Sequence, residues 1–337
     1  MIQFRGTRKE FGEYYGLRLK EFQHNFFRHT NADTLRRQLK IYEKFYPELV
    51  QEKLAAAEIL HQDPQYLLYE DLAAPVDAQR RRAHQHHYID ACTIFAIREN
   101  SKVFVGRNYD WLPEAREFFE RYDIDIKGVN RYIAFSDESV WGRHVGRRSR
   151  KVYAEDAINE YGLYIGLTAS KIDKWNYGLT PSHLIRYVAE HCKTTRQALN
   201  VFAKIPCAVP KNFLIADATG NLAVIEHSSR SYEIIRPDAS GILIHTNHCL
   251  SPKLQHIDQA LRANPRTDSF LRYQEASYLI REQMPNFQFT DLWRILRQSH
   301  YVYNEDTIWS LALELTEQRF NVYYDTATGQ KHTKFGF

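Results

Sequence analysis

The stretch that decides the fold is CTIFAIRENSKVFVGRNYDW, Cys92 to Trp111. Thr93–Ile97 and Lys102–Val105 are two apolar runs rich in β-branched and aromatic residues, separated by Glu99-Asn100-Ser101, the pattern of an antiparallel hairpin. A hairpin lays the end of its second strand beside the start of its first, so Arg107 and Asp110 are expected near Cys92. A guanidinium beside a thiol favours the thiolate, and a carboxylate there would hold an ammonium group. A polar turn accounts for any single residue of GRNYDW. A free cysteine is ordinarily a small buried hydrophobe, which is how Cys92 taken alone, Cys192 and Cys207 read. Neither account covers a thiol, an Arg and an Asp converging.

Upstream, Ile2–Phe4 reads as a short strand. Lys9 to Phe26 carries apolar residues on one helical face, with Gly12 and Gly16 one turn apart to let another backbone approach. Asn31 or Asp33 caps a second helix running toward Leu60, and Gln65–Leu72 is expected as a short strand. Ala74–His87, polar with three consecutive arginines, reads as an exposed linker. Downstream, Lys151–Ala154 and Tyr164–Thr168 are expected strands about a turn at Asn159–Gly162. Thr180 caps a helix with Pro181 in its first turn, ending near Cys192, and another runs from Thr195 to before Pro206. Strands follow at 212–216, 222–226, 232–235 and 242–246, helices at 268–283 and 291–299, and strands at 307–315 and 319–324. Hairpins argue for antiparallel sheets, and amphipathic helices need sheet faces to cover. The expected class is therefore α+β, a layered sandwich of mostly antiparallel sheets behind a helical amino-terminal segment.

The chain has 337 residues, of which 44% are hydrophobic and 14% aromatic, and a net charge of +4 from 45 basic and 41 acidic residues. That balance demands no nucleic-acid partner. No apolar run is long enough to span a membrane, the first residues contain no apolar signal core, and the four cysteines fit neither a disulfide framework nor a CxxC metal site. A cytoplasmic location with reduced thiols is expected. His245 and His248 sit at the end of a strand, where alternation turns them to opposite faces, and His84, His86 and His87 stand in the polar segment without acidic partners, so no metal is expected. The basic run Gly142–Lys151 reads as a solvated loop, with phosphate contact as the alternative.

The ordered motifs resemble the peptidase C45 and acyl-coenzyme A:6-aminopenicillanate acyltransferase-like family, related to choloylglycine hydrolases and penicillin V acylase. CTIFAI…VFVGRNYDW is similar to the start of the mature chain in those proteins. Gly6-Thr7 with Glu10, Gly12 and Gly16, then Asn159–Leu163 with Gly166-Leu167-Thr168, Asn212–Asp217, Thr246-Asn247-His248 and Asp268–Arg272 match further pieces in order. The resemblance implies a four-layer αββα Ntn-hydrolase sandwich. It implies a pro-segment of residues 1–91, a catalytic region of 92–337, together one structural domain, and self-cleavage at Ala91–Cys92. Cys92 would be the nucleophile, its freed α-amine the base, Asp110 the holder of the α-ammonium, and Arg107 the positioner of thiol and substrate. Asn247 would donate to the oxyanion, Arg272 would support the site from a helix, and Thr168 stands where bile-salt hydrolases have an oxyanion-contacting Asn. Tyr109, Trp111 and Trp141 would form an apolar pocket wall.

The implied activity is hydrolysis of a linear amide in a small molecule, with no cofactor. One alternative is acyl transfer from a coenzyme A thioester; another is a non-catalytic binder on the same fold. The sequence leaves open the acyl and amine groups and whether the chain forms a homo-oligomer.

Overall fold

A computed structural model describes residues 1–21, 30–77, 91–137, 154–170, 175–228, 231–256, 269–326 and 329–337. Its strands are β1 (Ile2–Gly6), β2 (Ala91–Glu99), β3 (Lys102–Asp110), β4 (Glu120–Ile126), β5 (Tyr132–Ser136), β6 (Asp156–Asn159), β7 (Tyr164–Ala169), β8 (Lys211–Ala216), β9 (Leu222–His227), β10 (Tyr232–Ile235), β11 (Ile242–His245), β12 (Thr307–Glu314), β13 (Arg319–Thr326) and β14 (Gly329–Phe335). Among the described residues they form an eight-stranded sheet, β1-β4-β5-β6-β7-β8-β9-β10, and a six-stranded sheet, β11-β2-β3-β12-β13-β14. Every pairing is antiparallel except β1 with β4. The helices are α1 (Arg8–Glu21), α2 (Ala32–Phe45), α3 (Pro47–Leu60), α4 (Pro64–Leu68), α5 (Pro181–His191), α6 (Thr195–Lys204), α7 (Pro252–Gln255), α8 (Ser269–Gln283) and α9 (Phe289–Gln298).

Strand alternation sorts the core into layers. Ile94 and Ala96 of β2 and Val103 and Val105 of β3 join Ile133, Phe135, Leu214 and Val224 between the two sheets. The intervening Phe95, Ile97 and Phe104 face the other way and pack with Ala276, Ile280, Leu292 and Ile295 of α8 and α9. On the far face of the larger sheet, Phe11, Tyr15, Leu49 and Leu67 from the amino-terminal helices share a core with Leu184 and Val188 of α5 and Phe202 of α6. The order is helices, sheet, sheet, helices, the αββα sandwich expected above. Gly106 lies across from Phe95, and a Cβ there would meet that ring at 2.1 Å, so the close approach excludes any side chain. On α1, a Cβ at Gly12 would stand 2.3 Å from the Glu52 carbonyl and one at Gly16 2.7 Å from that of Ala56. This is the close backbone approach read from the glycine spacing.

Three expectations need correction. Gln65–Leu72 is helical, α4 followed by a π-turn over Tyr69–Ala73. The cause is local: Asp63 caps by accepting from Gln65 N at 2.9 Å, and Pro64 occupies the first turn, a start signal that outweighs the aromatic run. The helix from Asn31 toward Leu60 is two helices, because Pro47 excludes Tyr46 from helical conformation (φ −148°, ψ 56°). Residues 74–77 are helical, with Ala74, Val76 and Asp77 buried; the rest of the expected linker lies outside the described residues. Of Lys151–Ala154, only Ala154 is described, and the strand begins at Asp156. The sequence reading does not place β4, β5 and β14. The amino-terminal segment is built into the sandwich: β1 lengthens the larger sheet, and Arg8 pairs with Glu190 of α5 at 2.6 Å. Arg186 of α5 in turn reaches Glu52 of α3.

Candidate active site

The β2–β3 register sets Cys92 across from Tyr109 and Ile94 across from Arg107. All four fall on the inter-sheet face by alternation. Arg107 is fully buried there. Its Nε donates to Asp156 Oδ1 at 3.2 Å, Nη1 to the Asn108 carbonyl at 2.7 Å and Nη2 to the Leu167 carbonyl at 2.8 Å. Asp156 also accepts from the Tyr164 hydroxyl at 2.5 Å and Trp309 Nε1 at 3.2 Å. Burial alone would lower the Arg107 pKa. The Asp156 carboxylate and then the Cys92 thiol, which the guanidinium faces, outweigh it, so the group stays charged.

The Cys92 N–H donates to Asn247 Oδ1 at 2.8 Å. Arg272 Nη2 donates to the same oxygen at 2.8 Å, while its Nη1 reaches the Cys92 carbonyl and Thr93 Oγ1, the latter at 3.2 Å. Two donors at one atom fix which end of the Asn247 amide is oxygen. The nitrogen end donates to the Ala169 carbonyl at 3.1 Å. Ser269 anchors this corner: its Oγ accepts from Asn247 N at 3.0 Å and lies 2.8 Å from His248 Nδ1. Strands β2, β7 and β11 and helix α8 thus meet at Cys92.

Asp110 follows Asn108 on the same side of β3, where Asn108 ties the strand to the Leu296 and Val302 carbonyls. Its carboxylate accepts from Thr307 Oγ1 at 2.7 Å and Asn304 Nδ2 at 3.2 Å. Burial raises the carboxyl to about 6, against the opposing charge of Arg272. Its hydrogen bonds go to these two side chains and not to the Cys92 nitrogen. The Thr168 hydroxyl is also committed, donating to the Thr246 carbonyl at 2.6 Å and accepting from Asn212 Nδ2 at 3.3 Å. Tyr109 stacks on Trp309 at 3.9 Å between centroids and donates its hydroxyl to Asp137 Oδ2 at 3.2 Å. Trp111 is half-buried at the edge of the inter-sheet core. Trp141 and the run Gly142–Lys151 lie outside the described residues.

His245 Nε2 meets Glu226 Oε1 at 3.0 Å, while His248 is engaged with Ser269 and Thr246, so the two imidazoles serve different partners. Among the described residues no His, Cys, Asp and Glu group could hold a metal ion, and no helix is long and apolar enough to cross a membrane. Cys192 and Cys207 are buried with their thiols pushed up to about 12. Sequence reasoning misses Asp156, which the larger sheet brings to Arg107, and Asp137, which accepts from the Tyr109 hydroxyl. The one available signal was a pair of adjacent acids, Glu155-Asp156, entering an otherwise apolar strand.

Two stacked antiparallel-rich sheets between helical layers, with a cysteine at the head of an inner-sheet hairpin, define the Ntn-hydrolase class of fold. The chain belongs to the acyl-coenzyme A:6-aminopenicillanic acid acyl-transferase family, whose model matches residues 97–328. The 40 kDa form of the acyl-coenzyme A:6-aminopenicillanic-acid-acyltransferase of Emericella nidulans is 24% identical over 192 residues, 57% of this chain and 49% of that protein. The chain therefore spans about half the length of that curated relative. Among solved structures, the Caenorhabditis elegans ortholog of N-acylethanolamine-hydrolyzing acid amidase superposes with a TM-score of 0.52 at 16% identity, covering 67% of this chain and 93% of the other. Penicillin V acylase from Agrobacterium tumefaciens does so with a TM-score of 0.50 at 14% identity, covering 73% and 86%.

Proposed function

We propose that the protein is a cysteine amidohydrolase of the amino-terminal-nucleophile type, acting on linear amides of small molecules after self-cleavage at Ala91–Cys92. The observation that carries this reading is the double placement of Cys92, its thiol beside the Arg107 guanidinium and its nitrogen 2.8 Å from Asn247 Oδ1. In self-cleavage the sulfur attacks the Ala91 carbonyl, the C–N bond breaks with the proton passing to nitrogen, and water hydrolyses the resulting thioester. The freed amine keeps one N–H on Asn247 and directs its lone pair to its own thiol. An α-amine with a reference pKa of ~7.7–8.0 suits that transfer near neutrality.

In turnover the amine accepts the thiol proton, sulfur attacks the amide carbonyl, and the leaving amine takes the proton. Water then returns the thiol and releases the acid. The second N–H of Asn247 donates to the oxyanion, and Arg107 favours the thiolate. Asp110, ionised at neutral pH, balances the α-ammonium, and Arg272 holds Asn247 and the Cys92 carbonyl. Tyr109 and Trp111 contribute apolar wall. A second reading, acyl transfer from a coenzyme A thioester to an amine, draws on the name of the family.

Intact mass of the purified protein tests the first step: two pieces, residues 1–91 and 92–337, are expected, and Cys92→Ala should remain whole, folded and inactive on an amide panel. A Cys92→Ala protein that still splits or turns over moves the nucleophile elsewhere. Product analysis with an acyl-coenzyme A donor and an amine acceptor separates transfer from hydrolysis.

A further inference from the structure

Asn247 lies two residues past the last ladder pair of β11, His245 across from Ile94, at the end of a four-residue edge strand. Sheet pairing therefore stops short of the residue that reaches Cys92, and side chains take over. Glu226 closes the base of this loop. Its carboxylate meets His245 Nε2 at 3.0 Å ahead of Asn247, and after it accepts from the Leu250 N–H and, at 3.0 Å, the Ser251 N–H. Alternation sets Glu226 with Leu222 and Val224, and His245 with Leu243, in the core between the sheets. The contact thus ties β9 of the larger sheet to β11 of the smaller, and both side chains are fully buried. Burial alone would raise the Glu226 carboxyl, but the imidazole and the Leu250 N–H outweigh it and hold it below its ordinary range. His245 Nδ1 stands 2.7 Å from the Thr246 carbonyl, which also accepts from Thr168 Oγ1 at 2.6 Å. A carbonyl and a carboxylate only accept, so the ring donates at both nitrogens. At the other end of the same peptide unit the Asn247 N–H donates to Ser269 Oγ at 3.0 Å.

We propose that Glu226 and His245 are the positioning pair of the Cys92 site: the carboxylate shuts the loop that carries Asn247, and the imidazole passes that constraint to the Thr246 carbonyl, so that Asn247 meets the Cys92 nitrogen and the oxyanion already aimed. This rests on the reading of Cys92 as nucleophile and Asn247 as oxyanion donor. A donor fixed beforehand needs no reorganisation as charge develops on the substrate oxygen. A displacement of about 1 Å at such a group costs up to ~100-fold in rate. Both residues act through Asn247.

The test uses the full chain carrying isotope-labelled asparagine, with the Asn247 side-chain amide signal identified by its loss in Asn247→Ala. Exchange of that amide with solvent should quicken at least ~tenfold, the scale of one lost hydrogen bond, in two variants. Glu226→Gln cannot accept at both ends of its side chain, and His245→Asn keeps a donor for the Thr246 carbonyl but stops short of Glu226. The buried Asn159 amide, held by the Ala189 and Cys192 carbonyls, is the reference and should not change, whereas a general loss of stability would speed both. On N-hexanoyl-p-nitroaniline kcat should fall at least ~tenfold with KM within about twofold. In an Asn247→Ala background either substitution should add under ~twofold. Unchanged exchange at Asn247, equal acceleration at Asn159, or losses that add in full to that of Asn247→Ala overturn the pair. Should one variant not fold, the other decides. Quickened exchange confined to Asn247, in a chain that neither splits nor hydrolyses amides, would leave the positioning standing and remove the amidohydrolase reading.

Discussion

Replacing Asn247 with Ala removes the oxygen on which the amine-to-be is held. That oxygen receives the Cys92 N–H and Arg272 Nη2, each at 2.8 Å, and the lost nitrogen served the Ala169 carbonyl at 3.1 Å. All three side chains or groups are buried: Asn247 is 0% exposed, Arg272 1% and Cys92 3%. An unmet buried donor costs about 1–3 kcal/mol, and Arg272, which keeps its Nη1 contacts, should fall at the low end. Two orphaned donors and one carbonyl sum to about 3–7 kcal/mol, and water entering the vacated space recovers part of it. The expectation is a loss of ~3 kcal/mol in unfolding free energy by urea titration with an unchanged m-value. Self-cleavage, followed by intact mass over time, should slow by ~100-fold or more as an oxyanion donor goes missing. Asn247→Asp keeps the acceptor and adds a charge beside Arg272, but turns an oxygen toward the Ala169 carbonyl, so it should restore stability in part and not rate. An Asn247→Ala protein that loses under ~1 kcal/mol and processes at the native rate refutes the reasoning.

Arg107→Lys keeps one charge but cannot reach Asp156, the Asn108 carbonyl and the Leu167 carbonyl together. It should cost about 2–4 kcal/mol of stability and slow alkylation of Cys92 by iodoacetamide, and an unchanged alkylation rate would count against the pairing. Glu155 gives a pH signature. Its folded-state pKa lies near 8 against an ordinary 4.5, so the folded state resists ionisation, and stability falls as pH rises from about 4.5 to about 8. Glu155→Gln should therefore melt with the native protein at pH 4 and above it at pH 9. Matching melting temperatures at both pH values would show that the carboxylate is not desolvated.

Legibility followed distance along the chain. The hairpin was readable because alternation, β-branched residues and a polar turn all lie within twenty positions, and parity alone puts Arg107 on the face of Cys92. Asn247 and Arg272 were reached through the resemblance, since nothing local to them announces that one amide oxygen joins them to Cys92. Asp156 belongs to the other sheet, and its approach to Arg107 follows from sheet stacking that no window of sequence contains. Strand β4 does alternate, with Tyr122, Ile124 and Ile126 buried between half-buried Arg121, Asp123 and Asp125. Its acidic residues obscured the period. Strand β5, buried throughout, has no alternation to read. At Gln65–Leu72 the aromatic content argues for a strand, but a proline one residue past an aspartate starts a helix there.

Asn100 and Ser101 both adopt left-handed backbone, φ 48° and 63°, closing the turn with the twist that antiparallel neighbours favour. They sit ~23 Å from the sulfur, at the solvent end of β2. Pairing between strands admits no half-step: a slip of one position would turn every side chain of β3 over, sending the guanidinium outward and leaving glycine or asparagine opposite the first turn of chemistry. The neighbour of the reactive atom is in this sense chosen at the far tip of the ribbon, by two residues that never approach it.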